Sequence, residues 1–395
     1  MNRKPRALII GGSLSGLFTA TTLRAIGWDV DIFERSPNEL DSRGGGIVLQ
    51  GDVLAAFDFA GIRTGSGLGV QSGDRIYLNR ADEVISRTFM PQTQTSWNML
   101  YATMKAHLPA SVVHPGERFV RFEQDADGIT AHFASGRVER GDLLIGADGA
   151  RSAVREQVMP GRPPRYAGYV AWRGLVPEAD LPPAAAEVLA GTFAFQQGED
   201  HLLLEYLVPG DNRSVQAGER RWNWVWYRKA EPMQELPSLM TDRFGARHAF
   251  SLAPGLMKDE DIARLRHAAS DQLAPTFQAL VHGTREPFAQ AILDLQVEKM
   301  VFGRAVLLGD AAFVPRPHTA GSTAKAAANA LALAMILKSA NTRIDLALAS
   351  WQKLQLREGL AMTAWGMRMG DQIMGLSHPL ERRRASKPLK RRRRP

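Results

Sequence analysis

The chain contains no cysteine, which removes disulfides, thiolate-bound zinc, iron–sulfur clusters and a cysteine nucleophile, and fits a reducing compartment. It also lacks any run of the ~18 uncharged apolar residues that a membrane helix needs. Behind Arg3, Lys4 and Arg6, only Ala7 to Ile10 are continuously apolar before Gly11, Gly12 and Ser13 intervene. That is shorter than the ~7–15 apolar residues of a secretory signal. The expectation is a cytoplasmic protein with no membrane partner and no metal site. Acids are scarce in one place. From Glu381 to Pro395 nine Arg or Lys face one acid, which accounts for the whole formal charge of +8 and leaves the preceding 380 residues net neutral. A terminal basic run of this kind reads as a solvated, disordered tail (376–395) rather than a polyanion-binding face, so nucleic acid is not expected as an obligatory partner. A nucleic-acid or anionic-surface binder acting through that tail stays open as the non-enzymatic alternative.

What is present is ordinary globular composition, 45% hydrophobic and 23% charged. At 395 residues the chain exceeds the ~250–300 that one core usually supports, so two domains are expected.

Three segments share one texture, an apolar strand ending in glycines and an acid. In the first, Ala7–Ile10 reads as a buried strand, GGSLSG as a turn, and Leu17–Ile26 as a helix by the spacing of its apolar residues. A second strand, Asp29–Phe33, ends at Glu34. Gly11 permits a tight turn, Gly16 lets helix and strand approach, the helix N-terminus offers amides to a pyrophosphate, and Glu34 can accept from a ribose hydroxyl. Ser13 replaces the middle glycine of the usual GxGxxG pattern. The other two segments are DLLIGADGARSAVR (Asp142–Arg155), whose strand leads to Asp148, and RAVLLGDAAF (Arg304–Phe313), whose strand ends at Asp310 before a long alanine-rich helix.

In this order the three segments resemble the flavoprotein aromatic hydroxylases, single-component FAD-dependent monooxygenases of the para-hydroxybenzoate hydroxylase fold. RGGGIV (Arg43–Val48), YAGYVAWRG (Tyr166–Gly174) and RPHTAGSTAKA (Arg316–Ala326) are similar to the dihydroxypyridine hydroxylase branch of that family. The resemblance implies an α/β chain (α+β overall): a Rossmann-like FAD-binding domain, an inserted β-sheet substrate domain and a C-terminal helix. The expected boundaries are 1–73, 97–163 and 292–375 for the FAD-binding domain, and 74–96 and 164–291 for the substrate domain. It implies noncovalent FAD held by Gly11, Ser13, Leu14, Ser15, Gly16, Glu34, Arg35, Arg43, Ile47, Val48, Asp148, Asp310, Gly321, Ser322 and Thr323. The sequence departs from the family at Ala102 and Thr103, where many members carry a flavin-touching arginine, and at Phe313 and Asn329.

Between the motifs, Tyr166–Val176, Leu202–Val208 and Asn223–Tyr227 read as strands of a separate sheet. The resemblance places the substrate pocket between that sheet and the flavin ring, and His201, Tyr206, Trp224 and Pro317 are its expected lining. Trp222, Trp224 and Trp226 alternate, as aromatics packing one face of a strand do.

The activity implied is NAD(P)H-driven hydroxylation of a small hydroxylated aromatic or N-heteroaromatic ring through a flavin C4a-hydroperoxide, with NADH or NADPH as transient reductant and O2 as co-substrate. GSGLG at Gly65–Gly69 is not flanked by strand and helix, so no permanent nicotinamide domain is expected. A flavin-dependent halogenase or oxidase is the enzymatic alternative. Such a site needs a base near neutrality to deprotonate a ring hydroxyl. His318, in the loop between Asp310 and the glycine-rich helix start, is the expected catalytic residue. A monomer or homodimer is expected.

Overall fold

Ala7–Ile10 has no polar side chain to offer water, and it becomes part of a strand, Arg6–Ile10, at the heart of a six-stranded sheet. The structure, a computed structural model, describes residues 3–38, 40, 45–64, 67–339 and 343–376. Arg43, the first two residues of GSGLG and the basic run from Glu381 lie outside the described residues. In spatial order the sheet runs Val301–Phe302, Ala305–Leu307, Leu143–Gly146, Arg6–Ile10, Asp29–Glu34 and Val113–Pro115. All neighbours are parallel except the first pair. The strands Arg6–Ile10, Leu143–Gly146 and Ala305–Leu307 therefore end at one carboxyl edge, which gathers the glycine turn, Asp148 and Asp310 from distant parts of the chain.

The first helix, Leu14–Ala25, starts directly after the glycine turn. Gly11 sits at φ 110, and a Cβ there would stand 2.5 Å from the Ala147 carbonyl oxygen; a Cβ on Gly16 would stand 2.0 Å from the Gly11 carbonyl oxygen. Only glycine permits both the turn and the approach of helix to sheet. The helix then packs on Ser322–Ser339. A final 30-residue helix, Ile344–Ile373, lies beside Ser322–Ser339 and passes over Phe313 so closely that a Cβ on its Gly359 would stand 2.3 Å from the phenyl ring. Phe313 is thus a packing residue beneath this helix. Asn329 accepts from the Gly309 amide at 3.1 Å and donates to Gln355 at 2.6 Å, tying the turn at Gly309 and Asp310, the GD turn that opens the GD loop, to both helices.

A larger, mostly antiparallel sheet follows the order Ser251–Leu252, Phe288–Gln296, Arg165–Pro177, Arg221–Lys229, His201–Val208, Thr192–Gln197, Val70–Leu78, Val84–Ser96 and Gly46–Val48. It draws on Gly46–Val48 and extends to Gln296. Strand alternation gives it two apolar faces. One carries Trp222, Trp224 and Trp226 against helices Asp259–Gln272 and Pro275–Gly283, through Leu265, Phe277 and Leu280. The other carries Tyr206, Val225 and Tyr227.

Glu205 stands opposite Ala194 and Trp224 in this sheet, fully buried, and neither carboxyl oxygen has a hydrogen-bond partner. Burial pushes its pKa well above the ordinary carboxylate range, so the folded state keeps the proton. The unfolded chain releases that proton above its own pKa, so this group's contribution to stability falls as pH rises past the ordinary glutamate value. Glu205→Met is expected to stabilise the protein by about 1–2 kcal/mol at pH 8. The gain should be smaller at pH 5, as chemical denaturation at the two pH values would show.

Candidate active site

Where the second face of the larger sheet meets the GD loop there is a cavity of about 1180 Å³. That is larger than one small ligand requires and suits two occupants, a cofactor ring and a substrate. One wall is the sheet, with Arg173, Tyr206, Val225 and Tyr227. The other comprises Asp310, the segment from Val314 to Thr323, and Trp365, Met369 and Ile373 of the last helix, with Ile47 and Val48 of the sheet's edge strand also in the lining.

Of the residues expected to hold FAD, Ile47, Val48, Asp310, Gly321, Ser322 and Thr323 line this cavity. Gly11, Ser13, Leu14, Ser15, Gly16 and Glu34 lie at the carboxyl edge of the parallel sheet, outside the lining, and Arg35 beyond them is exposed. Ser13 is the N-cap of Leu14–Ala25 but makes no side-chain cap bond, which leaves the helix amides available to an anion. Glu34 accepts from the Gly12 amide at 2.8 Å and the Ser36 amide at 2.8 Å, fixing the turn while each oxygen keeps a second lone pair. Asp310 accepts from Ser322 at 2.7 Å and from the buried Lys325 at 2.9 Å. Burial lowers the pKa of Lys325, an effect that Asp310 opposes. Asp148 is turned to the start of helix Ala153–Val158, accepting from the Ala153 and Val154 amides at 2.7 and 3.2 Å, while its Oδ1 is buried without a partner. Burial raises its pKa. Arg155 donates to the Ala311 and Ala150 carbonyls at 2.9 and 2.6 Å, stitching the loop that follows Asp148 and Gly149 to the GD turn. Uncapped helix amides, a glycine cradle with no room for a Cβ and an acid at the end of the second strand are a donor and acceptor set that fits FAD.

Two expected pocket residues do line the cavity, Tyr206 and Pro317. Two do not. Trp224 lies on the opposite face of its strand, fully buried, and donates to Thr284 Oγ1 at 2.8 Å. His201 shares that face with Trp226, whose indole donates to its Nδ1 at 3.1 Å. Both corrections have one cause: alternate residues on adjacent strands point away from the cavity.

His318 lines the cavity, with Nε2 2.8 Å from the Tyr169 hydroxyl and its ring 4.3 Å from that of Tyr227. Its Nδ1 is buried without a partner. Burial, reinforced by Arg316, pushes its pKa down to about 3. The expected base near neutrality is therefore an imidazole that stays neutral throughout the working range, because burial disfavours the charged ring and the nearby Arg316 guanidinium repels it. The loop beneath it is fixed by Arg316, which pairs with Asp294 at 2.7 and 2.8 Å and with Asp371 at 2.7 Å. Ala320 adopts φ 51 just before the helix, and Gln50 donates to its carbonyl at 2.6 Å. Tyr169, Arg173, Asn223, Tyr227 and Arg316 were not singled out as site residues from the sequence, although Tyr169 and Arg173 fall inside the YAGYVAWRG string, Arg316 opens RPHTAGSTAKA, and Asn223 and Tyr227 bound an expected strand.

A sheet of dinucleotide-binding type, joined across one cavity to a sheet that supplies aromatic and hydrogen-bonding walls, defines a flavoprotein of the ring-hydroxylating class. A family model described as FAD binding domain-like matches residues 166–294. The 2,6-dihydroxypyridine 3-monooxygenase of Paenarthrobacter nicotinovorans is 32% identical over 90% of this chain and 88% of its own length. The 6-hydroxynicotinate 3-monooxygenase of Bordetella bronchiseptica is 28% identical over 86% and 84%. The solved structure of 2,6-dihydroxypyridine-3-hydroxylase from Arthrobacter nicotinovorans matches with a TM-score of 0.89 at 29% identity, covering 96% of this chain and 95% of that one. The chain belongs to the family of FAD-dependent aromatic-ring monooxygenases. It is an enzyme that uses FAD, with NAD(P)H and O2. No helix among the described residues is long and apolar enough to cross a membrane.

Proposed function

We propose that the chain hydroxylates a small N-heteroaromatic ring of hydroxypyridine type, seated against Tyr206 and Tyr227 with His318 at its edge. The observation that carries this reading is the cavity shared by the substrate sheet and the GD loop, walled by rings and hydrogen-bonding groups. The relatives that act on dihydroxypyridine and hydroxynicotinate support it. On this reading the helix start at Leu14 and Glu34 hold the adenosine half of FAD, and Gly321–Thr323 meet its ring. The division into an FAD-binding domain (1–73, 97–163, 292–375) and a substrate domain (74–96, 164–291) goes with it.

Bound FAD supplies the chemistry that the side chains lack, accepting hydride and activating oxygen. The chain's own residues position the ring and keep water out. Burial raises the pKa values of Tyr206 and Tyr227, so these cavity-lining phenols keep their protons and can donate to a ring oxygen, while Tyr169, raised likewise, holds His318. Trp365, Met369 and Ile373 close the wall opposite with apolar surface. The test is to screen hydroxypyridines and phenols for stimulation of NAD(P)H oxidation and to weigh the product. One added oxygen per NAD(P)H is the expected result. Stoichiometric peroxide with unchanged ring mass for every compound would establish an oxidase instead.

A further inference from the structure

The cavity holds a charge that its own walls leave unanswered. Arg173 projects into it from the strand Arg165–Pro177, and no described residue gives it a hydrogen bond or an ion pair; its Nε is buried without a partner. The guanidinium is pressed against Gly45, where a Cβ would stand 2.7 Å from one terminal nitrogen. Beside it Asn223, 1% exposed, spends its oxygen on the Gly46 amide at 2.8 Å and leaves its Nδ2 without a partner. Asp310 is the acidic residue among the described cavity lining, and Lys325 already neutralises it. Arg75, the other lining arginine, shares the orphaned Nε but is otherwise engaged, lying over the rings of Phe193 and Phe195 and donating to Gln92. A sequestered cation without a counter-ion is costly, and a guanidinium is shaped to receive an oxyanion through two parallel hydrogen bonds.

We infer that Arg173, assisted by the free amide of Asn223, is the specificity residue of this enzyme, and that its substrate is bound as an oxyanion, a ring carrying an ionised hydroxyl or a carboxylate. This rests on the cavity being the substrate site. The chemistry follows from the charge. A ring hydroxyl beside a fixed guanidinium ionises more readily, and the ionised ring is richer in electrons at its ortho and para carbons, where an electrophilic oxygen must attach. The positive charge that the neutral His318 does not carry is thus supplied from the sheet.

The test uses the FAD-loaded enzyme and reads ligand affinity from the change in flavin absorbance. The probes are 6-hydroxynicotinate for the carboxylate, 2,6-dihydroxypyridine for the ionised hydroxyl, and 6-hydroxynicotinamide as the neutral counterpart. The native enzyme is expected to prefer at least one anion over the amide by ~10-fold or more, and Arg173→Gln to abolish that preference while amide affinity, flavin content and resting spectrum stay unchanged. Arg173→Lys should recover part of it. The anion whose affinity falls further identifies which oxyanion the guanidinium receives. The inference is overturned by equal affinity for all three probes, by equal loss for the amide, or by an altered resting flavin in Arg173→Gln, which would assign the guanidinium to the cofactor. Oxygen insertion into a neutral ring at a rate indifferent to Arg173→Gln would overturn it and leave the hydroxylase reading standing. Arg173-dependent anion binding with no oxygenated product in the screen would do the reverse.

Discussion

His318→Ala is expected to keep its FAD and to lose ~10²-fold in hydroxylation rate, with peroxide released in place of product. The argument begins with the hydrogen bond between Nε2 and the Tyr169 hydroxyl, which fixes the ring plane, and with the rings of Tyr169 and Tyr227 packed against it. Removing the imidazole opens space beside the substrate, and a ring that wanders is hydroxylated less often than the reduced flavin loses its oxygen. The native rate should show no ionisation near the ordinary histidine value, since this ring stays neutral down to about pH 3. Stability carries the same signature. The folded state refuses a proton that the unfolded chain accepts, so this group's contribution is complete above the ordinary histidine pKa and is lost as pH falls from there toward 3. The alanine variant should lack that slope in acid unfolding. Product formed per NAD(P)H consumed decides the matter: normal coupling at normal rate in His318→Ala would remove the residue from the chemistry.

Gly16→Ala should be the more damaging change. Its methyl would lie 2.0 Å from the Gly11 carbonyl oxygen, a backbone atom that cannot swing aside. Helix Leu14–Ala25 must then retreat from the strand Arg6–Ile10, carrying its free amides away from the pyrophosphate position. We expect purified protein with little or no flavin and a stability loss of about 1–3 kcal/mol. Flavin absorbance per chain, taken with the thermal midpoint of the apoprotein, separates lost binding from lost folding. Stoichiometric FAD in this variant would contradict the assignment of the turn.

Both residues stand out in the sequence because their signals are local. The glycine turn is bounded by a strand and a helix, and His318 lies on a short loop between two motifs. The pocket was less legible. The spacing of Trp222, Trp224 and Trp226 says that they share a face; it does not say which face meets the cavity, and Trp224 went to the wrong side for that reason. His201 was misplaced by the same ambiguity. The low pKa of His318 comes from burial, which no run of letters encodes. Arg316 joins Asp294, 22 residues earlier, to Asp371, 55 residues later, and such a partnership exists only once both sheets and the last helix have assembled. Arg173 is informative for the opposite reason, since what matters is the partner it lacks.

The two-faced strand Arg221–Lys229 has a consequence for how such an enzyme can diversify. Asn223, Val225 and Tyr227 meet the cavity side, while Trp222, Trp224 and Trp226 bind the sheet to its helices. Successive codons therefore answer to different demands. Changes at Asn223, Val225 and Tyr227 would reshape the cavity wall and changes at Trp222, Trp224 and Trp226 would loosen the sheet from its helices; all six are buried, so both carry a cost in folding. Substitution along this strand can therefore change the shape of the cavity and the packing of the helices separately, two residues at a time.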